Sequence, residues 1–405
     1  MLVSRFPIKY IFTVFALLSI SYVLSLFLLQ LFGALLFIMW LLERWDNKLR
    51  AIDTLLKIIF IFGLIRFISI LFSSYPSASN EALYKEAMFY TCALAFFFYV
   101  KTFDKKKLLE LLSAYILGAM VMSLVGIVKF TFGIVERAEG FSSSYSVFSS
   151  YLLTALALSL FYPLDKKNKI KYVVGLSAAI IIFIGIVASL GRTNIAIAVL
   201  LLISAIFLRK MDFRSSLTVV ASITIIFVLY YFINPESAGN GVTTRIENIS
   251  QLSDRDIIWK GAKELMFNKP IIGYGPRTFN EIFPLRNEFM DKKIGGWHND
   301  ALQIYFESGL IGLITFLLLL IYPFYSSVKL AQSKILDVEF KNIAQAVLAS
   351  IIAIYLSAVT AGFITSVVLS IVFVFLLSIV SRLEFELSSS ENKLEKIPNA
   401  NPAVK

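Results

Sequence analysis

The chain has one histidine, His298, in the stretch GGWHNDALQIYFESGLIG that runs from Gly295 to Gly312. Imidazole is the side chain whose ordinary pKa lets it exchange a proton near neutral pH. Trp297 and His298 close a polar stretch, and the apolar run Leu310–Tyr322 follows closely. A base at that junction faces water and lipid headgroups together. The same position also suits an interfacial histidine, amphipathic like its neighbour Trp297. Arg192 lies in Ser189-Leu190-Gly191-Arg192-Thr193-Asn194, between two apolar runs with almost no loop. Arginine at a membrane boundary tends to be functional or paired. At a helix start it adds to N–H groups already suited to an anion. The alternative is a snorkelling arginine that touches lipid phosphate. Arg255 falls in the first turn of a predicted helix, where a guanidinium fork suits pyrophosphate oxygens. Its alternative is a surface ion pair with Asp254, Asp256 or a residue of the next turn.

Other chemistries have weaker support. Asp254-Arg255-Asp256 reads as D-x-D, a pattern used to hold a divalent ion. Hard cations want several oxygen ligands, and Arg255 between the two carboxylates repels a cation. No His/Cys cluster suits zinc, and no Gly-rich phosphate loop or Ser/His/Asp set is present. Neither a metal nor a cofactor is expected. Arg66 sits near the middle of an apolar run and needs an internal partner or a water-filled cavity. Lys129 lies near the end of another run, where it can snorkel.

The elements that must position these residues are membrane helices. Of 405 residues, 58% are hydrophobic and 15% aromatic, with mean hydropathy +0.79. That excludes a soluble globular protein and predicts an all-α polytopic membrane protein. The run 8–42 is too long for one span of about 20 residues. Ser19, Ser21, Ser25 and Gln30 mark its break into two short helices. Further apolar segments cover 55–72, 84–100, 108–131, 144–162, 170–189, 193–208, 216–233, 299–322, 340–361 and 363–382. The total is about 12 spans by the hydropathy rule. No cleavable signal peptide is read at the start, because no small-residue site follows a short apolar region. Cys92 stands alone and forms no internal disulfide.

Basic residues fix the expected orientation. With the N-terminus in the cytoplasm, the inside segments collect Arg5, Lys9, Arg44, Lys48, Lys101, Lys105, Lys166, Arg209, Lys334 and Arg382 with their neighbours. The short outside segments hold only Lys85, Arg137 and Arg192. Such asymmetry places both termini in the cytoplasm. The net charge of +11 therefore orients the chain and does not point to nucleic acid. The expected organisation is transmembrane helices over 1–233, a periplasmic loop at 234–297 that caps the site, helices over 298–387, and a disordered cytoplasmic tail over 388–405. The loop is nearly balanced in charge. Within it Ser253 and Asp256 fit a capping box. Ile258, Ala262, Leu265 and Met266 follow at helical spacing. Lys269-Pro270 and Gly273-Tyr274-Gly275-Pro276 then end the helix. A structured loop of this length usually carries function.

Taken together, Gly191-Arg192, Ser-Asp-Arg-Asp-Ile-Ile-Trp (253–259), Lys-Pro-Ile-Ile-Gly-Tyr-Gly-Pro (269–276) and the histidine motif of 298–312 resemble the O-antigen ligase/polymerase superfamily of bacterial envelope proteins. The resemblance is specific over Gly191–Gly312 and elsewhere is one of topology and length. It implies an inner-membrane glycosyltransferase whose site faces the periplasm. The implied donor is a glycan on undecaprenyl pyrophosphate, and the implied acceptor is lipid A–core. Arg192 and Arg255 would bind the donor phosphates, and His298 would activate the acceptor, without metal. Asn299, Asp300, Arg277 and Arg245 are expected as neighbours of the site. Direct displacement would invert the anomeric centre. Three other readings stand beside the ligase: a polymerase that joins lipid-linked repeat units, a protein O-oligosaccharyltransferase, and a transporter of lipid-linked sugars. A transporter would show paired broken helices in two related halves, and no such repeat is visible.

Overall fold

The computed structural model describes residues 3–141, 143–162, 169–208, 210, 213–233, 255–289, 296–359 and 362–395. These residues are all-helical, with no strand among them. The run expected to break does so at Ser25, whose extended backbone separates α1 (Ile8–Leu24) from α2 (Leu26–Leu41). Then come α3 (Trp45–Ala51), α4 (Thr54–Leu71), α5 (Pro76–Lys85) and α6 (Ala87–Tyr99). They are followed by α7 (Lys105–Thr131), α8 (Tyr145–Phe161), α9 (Lys169–Ala188), α10 (Arg192–Phe207) and α11 (Phe213–Ile233). The loop contributes α12 (Arg255–Leu265) and the single turn α13 (Phe279–Ile282). The last three helices are α14 (Asp300–Gln332), α15 (Val338–Ala358) and α16 (Val367–Glu395).

Local chemistry sets several of these boundaries. Asp53, Asp104, Asn299 and Asp337 cap α4, α7, α14 and α15, each side chain accepting from a backbone N–H of the first turn. Such a cap satisfies one of the orphan donors of a helix start. Pro76 stands at the start of α5, where a missing N–H costs nothing.

The core gathers around α16, whose apolar window is 83% buried, the most enclosed of the long helices. It packs on α6, α14 and α15, while α8 packs on α15 and α4 on α14. Large apolar side chains remain exposed on the outward faces, among them Leu31, Leu64, Phe67, Leu200, Leu318 and Ile321. Exposed apolar surface on this scale marks a membrane-facing belt.

Each apolar segment expected to span is a helix. Among the described residues, five helices are long and apolar enough to cross a membrane, or six if α2 and α3, bent by 118°, form one broken span. The expectation of about 12 spans is not met by length alone. At 16 residues, α10 reaches only about 24 Å at 1.5 Å per residue, short of a ~30 Å hydrocarbon core. The C-terminal expectation is corrected in one respect. Helix α16 continues past Ser388 to Glu395, so the polar tail begins as helix; residues 396–405 lie outside the described set.

Candidate functional site

His298 sits in the turn that opens α14. Its backbone is left-handed, with φ 49°, a region sparsely used by residues other than glycine. Two neighbours hold it there. Trp297 before it is buried and stacks on Phe306, with ring centroids 4.1 Å apart. Asn299 after it is the N-cap of α14 and accepts the Leu302 N–H at 3.0 Å. Phe279 and Phe283 pack on Trp297 edge-on. Ile258 and Ala262 of α12 join the same apolar cluster. The loop helix that begins at Arg255 is therefore docked beside the histidine turn. The imidazole itself is exposed.

Arg192 is the first residue of α10, after the N-cap Gly191, and is exposed. Two residues on, Asn194 is buried and donates to Ser149 Oγ at 2.6 Å and to Ser150 Oγ at 3.3 Å. Ser357, near the end of α15, donates to Asn194 Oδ1 at 3.1 Å. Just beyond, the Val359 carbonyl accepts Asn299 Nδ2 at 3.4 Å. The Phe363 N–H donates to Asp300 Oδ2 at 2.8 Å. The start of α10 and the start of α14 thus converge on the end of α15. Through it the structure brings Arg192 and His298 to one end of the bundle.

Non-glycine residues with positive φ are rare and cluster at functional sites. Among the described residues they are Leu190, Arg277 and His298. All three lie at or beside expected site positions. Arg277 N–H donates to Glu307 Oε1 at 2.8 Å, and its Nε lies 3.6 Å from Glu81 Oε2. Lys85, hydrogen-bonded to Glu81, holds that carboxyl below its ordinary range, with Arg277 adding to the effect. Asp300 is buried, and its Oδ1 has no hydrogen-bond partner among the described residues. The Arg255 side chain, Arg245, Ser253 and Asp254 lie outside what is described, so the capping box and the D-x-D do too.

Two features were missed from the sequence. The first is a splice at Gly309, where α14 breaks with φ 64° and ψ −165°. The loop 270–275 enters the break and replaces the lost helical bonds. Tyr274 N–H and Gly275 N–H donate to the Phe306 and Glu307 carbonyls, at 2.8 and 3.0 Å. Leu310 N–H donates to Pro270 O at 2.7 Å, and Ile311 N–H to Ile271 O at 3.5 Å. Gly309 and Gly273 face each other's strands of chain so closely that a Cβ on Gly309 would overlap the Ile271 carbonyl. A Cβ on Gly273 would stand 2.6 Å from Glu307 backbone. Glycine at both positions is what allows the splice.

The second feature is the partner of Arg66. It is buried, and its Nη1 donates to Glu307 Oε2 at 2.7 Å and to Ser308 Oγ at 3.2 Å. Its other edge is paired with Glu86, with Nε donating to Oε2 at 3.2 Å. Glu307 Oε1 also accepts Gln303 Nε2 at 3.1 Å. Both Glu307 oxygens are thus engaged. Arg66 has the internal partner that a mid-span arginine requires. Removing one partner of such a buried pair costs about 3–5 kcal/mol. Lys129 has partners: it lies 3.3 Å from Glu139 Oε1 and donates to Gly140 O at 2.9 Å.

Residues 177–317 match the family model described as O-antigen ligase. Over this segment the chain is similar to the O-antigen ligase family. No curated protein matches the chain. The matched segment runs from within α9, through Arg192, α12 and His298, to the part of α14 just beyond the splice. Arg66, Glu86 and the end of α15 lie outside it. Together, the match and the apolar helices indicate a multi-pass membrane protein.

Proposed function

We propose that the protein is an O-antigen ligase: a glycosyltransferase that moves a glycan from undecaprenyl pyrophosphate to a sugar hydroxyl of lipid A–core. The observation that carries this reading is the convergence on the end of α15 of the two helix starts that bear Arg192 and His298, through their neighbours Asn194 and Asn299, both inside the matched segment. Pyrophosphate is already a good leaving group, so the reaction needs neither a covalent intermediate nor a strong acid. Arg192, at a helix start, would stabilise its growing charge, the usual electrostatic contribution. Arg255, at the start of the docked helix α12, is assigned the same task. A sugar hydroxyl is a poor nucleophile until a base takes its proton. His298 is proposed as that base, a contribution of about 10²–10⁴ in rate. Attack on the face opposite the pyrophosphate inverts the anomeric centre. No metal enters this scheme, and full transfer in the presence of EDTA is expected; loss of activity restored by Mg²⁺ or Mn²⁺ would contradict it.

The test is a transfer assay with purified protein and a defined lipid-linked donor, offered two acceptors. Product on lipid A–core supports the ligase. Product only as longer lipid-linked chains identifies a polymerase instead. Movement of donor across a vesicle bilayer without transfer would place the protein among transporters.

A further inference from the structure

We propose that Arg66 and Glu307 are positioning residues that clamp the turn carrying His298. The catalytic part of this inference rests on the reading of His298 as the base.

The path is short and contiguous. Arg66, in the fourth helix, is tied on one edge to Glu86 at the start of α6. Its other edge holds Glu307 and Ser308, the two residues before the break at Gly309. The second oxygen of Glu307 takes the Arg277 N–H, at the end of the loop spliced into that break. Phe306, next to Glu307, carries the stacked ring of Trp297, and Trp297 precedes His298. One carboxylate therefore joins the fixed membrane bundle, the inserted loop and the ring that seats the histidine turn. The segment from Asp300 to Ser308 is about 13 Å of rigid helix. Its far end is pinned separately, by Asp300 and Asn299 on the end of α15. Losing the Glu307 side-chain contacts weakens the tie of that end to α4 and leaves it held mainly by the inserted loop, through the Phe306 and Glu307 carbonyls. A left-handed residue persists only where its surroundings over-determine it, so His298 is the residue that should move.

Spatial intermediacy alone does not establish coupling, and the single histidine supplies a direct readout. Diethyl pyrocarbonate modifies imidazole, and in a protein purified through a histidine-free tag His298 is the only one. The modification rate is measured for wild type, Glu307→Gln, Arg66→Lys and Lys101→Met. Lys101 pairs with Asp53 in a buried contact elsewhere in the bundle, outside the Arg66 cluster, so its variant controls for the loss of any buried ion pair. The rate should rise severalfold in Glu307→Gln and Arg66→Lys and stay at wild type in Lys101→Met. In the transfer assay the first two should lose on the order of 10²-fold in kcat, the effect of a misplacement of about 1 Å, with donor KM nearly unchanged. If Glu307→Gln does not insert, Arg66→Lys decides, because it keeps the charge and loses only the fork. Folded variants whose His298 reacts at the wild-type rate overturn the clamp. Faster modification with unchanged kcat overturns the positioning role. A wild type that transfers to no acceptor defeats the ligase reading, and the modification rates then still decide the clamp.

Discussion

Arg192 and Arg66 are both arginines in or beside apolar runs, and the structure gives them opposite situations. Arg66 is sealed between Glu86 and Glu307, whereas Arg192 is exposed at the first turn of α10. Removing Arg192 should therefore affect the donor and not the fold. Arg192→Ala should raise donor KM about 10- to 100-fold, the worth of a charge-assisted hydrogen bond of roughly 1.5–3 kcal/mol. Lysine should restore only part of it, since a point charge does not replace a fork. Full activity in the alanine variant would remove Arg192 from the site. The sequence made Arg192 and His298 visible because each is a costly residue type at a membrane boundary. It left Glu307 undervalued. A buried arginine announces that an acid must exist, but not which one, and Glu307 lies far along the chain from Arg66.

At the scale of elements, the splice at Gly309 is the feature most open to attack. Gly309 and Gly133 both have positive φ, but a Cβ on Gly133 would meet nothing within 4 Å. Alanine at Gly133 should cost about 1–2 kcal/mol, the left-handed penalty alone. Alanine at Gly309 adds overpacking against the Ile271 carbonyl, typically a further 1–3 kcal/mol. Gly309→Ala should thus show the lower thermal midpoint and faster hydrogen exchange over 270–277. Equal midpoints for the two variants would show that the loop does not depend on a close fit. The Gly273-Tyr274-Gly275-Pro276 turn was legible from its residues, and so was the amphipathic stripe of α12. That this turn fills a break in α14 was not legible. Its hydrogen bonds join segments about thirty residues apart, and the spacing of residues within either segment is unchanged by them.

For the whole molecule, the apolar runs located the helices well because hydrophobic length is a local property. Among the described residues, length and composition alone qualify five of these helices as full spans, or six with the bent pair. Helix α8 is buried against other helices, whereas α10 keeps an exposed apolar face at Val199, Leu200 and Ile203, and periodic composition does not separate an enclosed helix from a spanning one. The proposed orientation puts the start of α10, the start of α14 and the loop on the outer face. An alkaline phosphatase fusion after residue 240 should be active, and one after residue 334 inactive; the reverse pattern would invert the orientation and the site with it. The ligase account depends most directly on what His298 does once donor is bound. The decisive measurement is single-turnover transfer from a lipid-linked donor to lipid A–core by wild type and His298→Gln, with donor binding measured on the same preparations. The account predicts unchanged donor binding and transfer slower by about 10²–10⁴ in the variant, the worth of one general base. Transfer at the wild-type rate by His298→Gln would contradict it, because glutamine keeps a hydrogen bond but takes no proton.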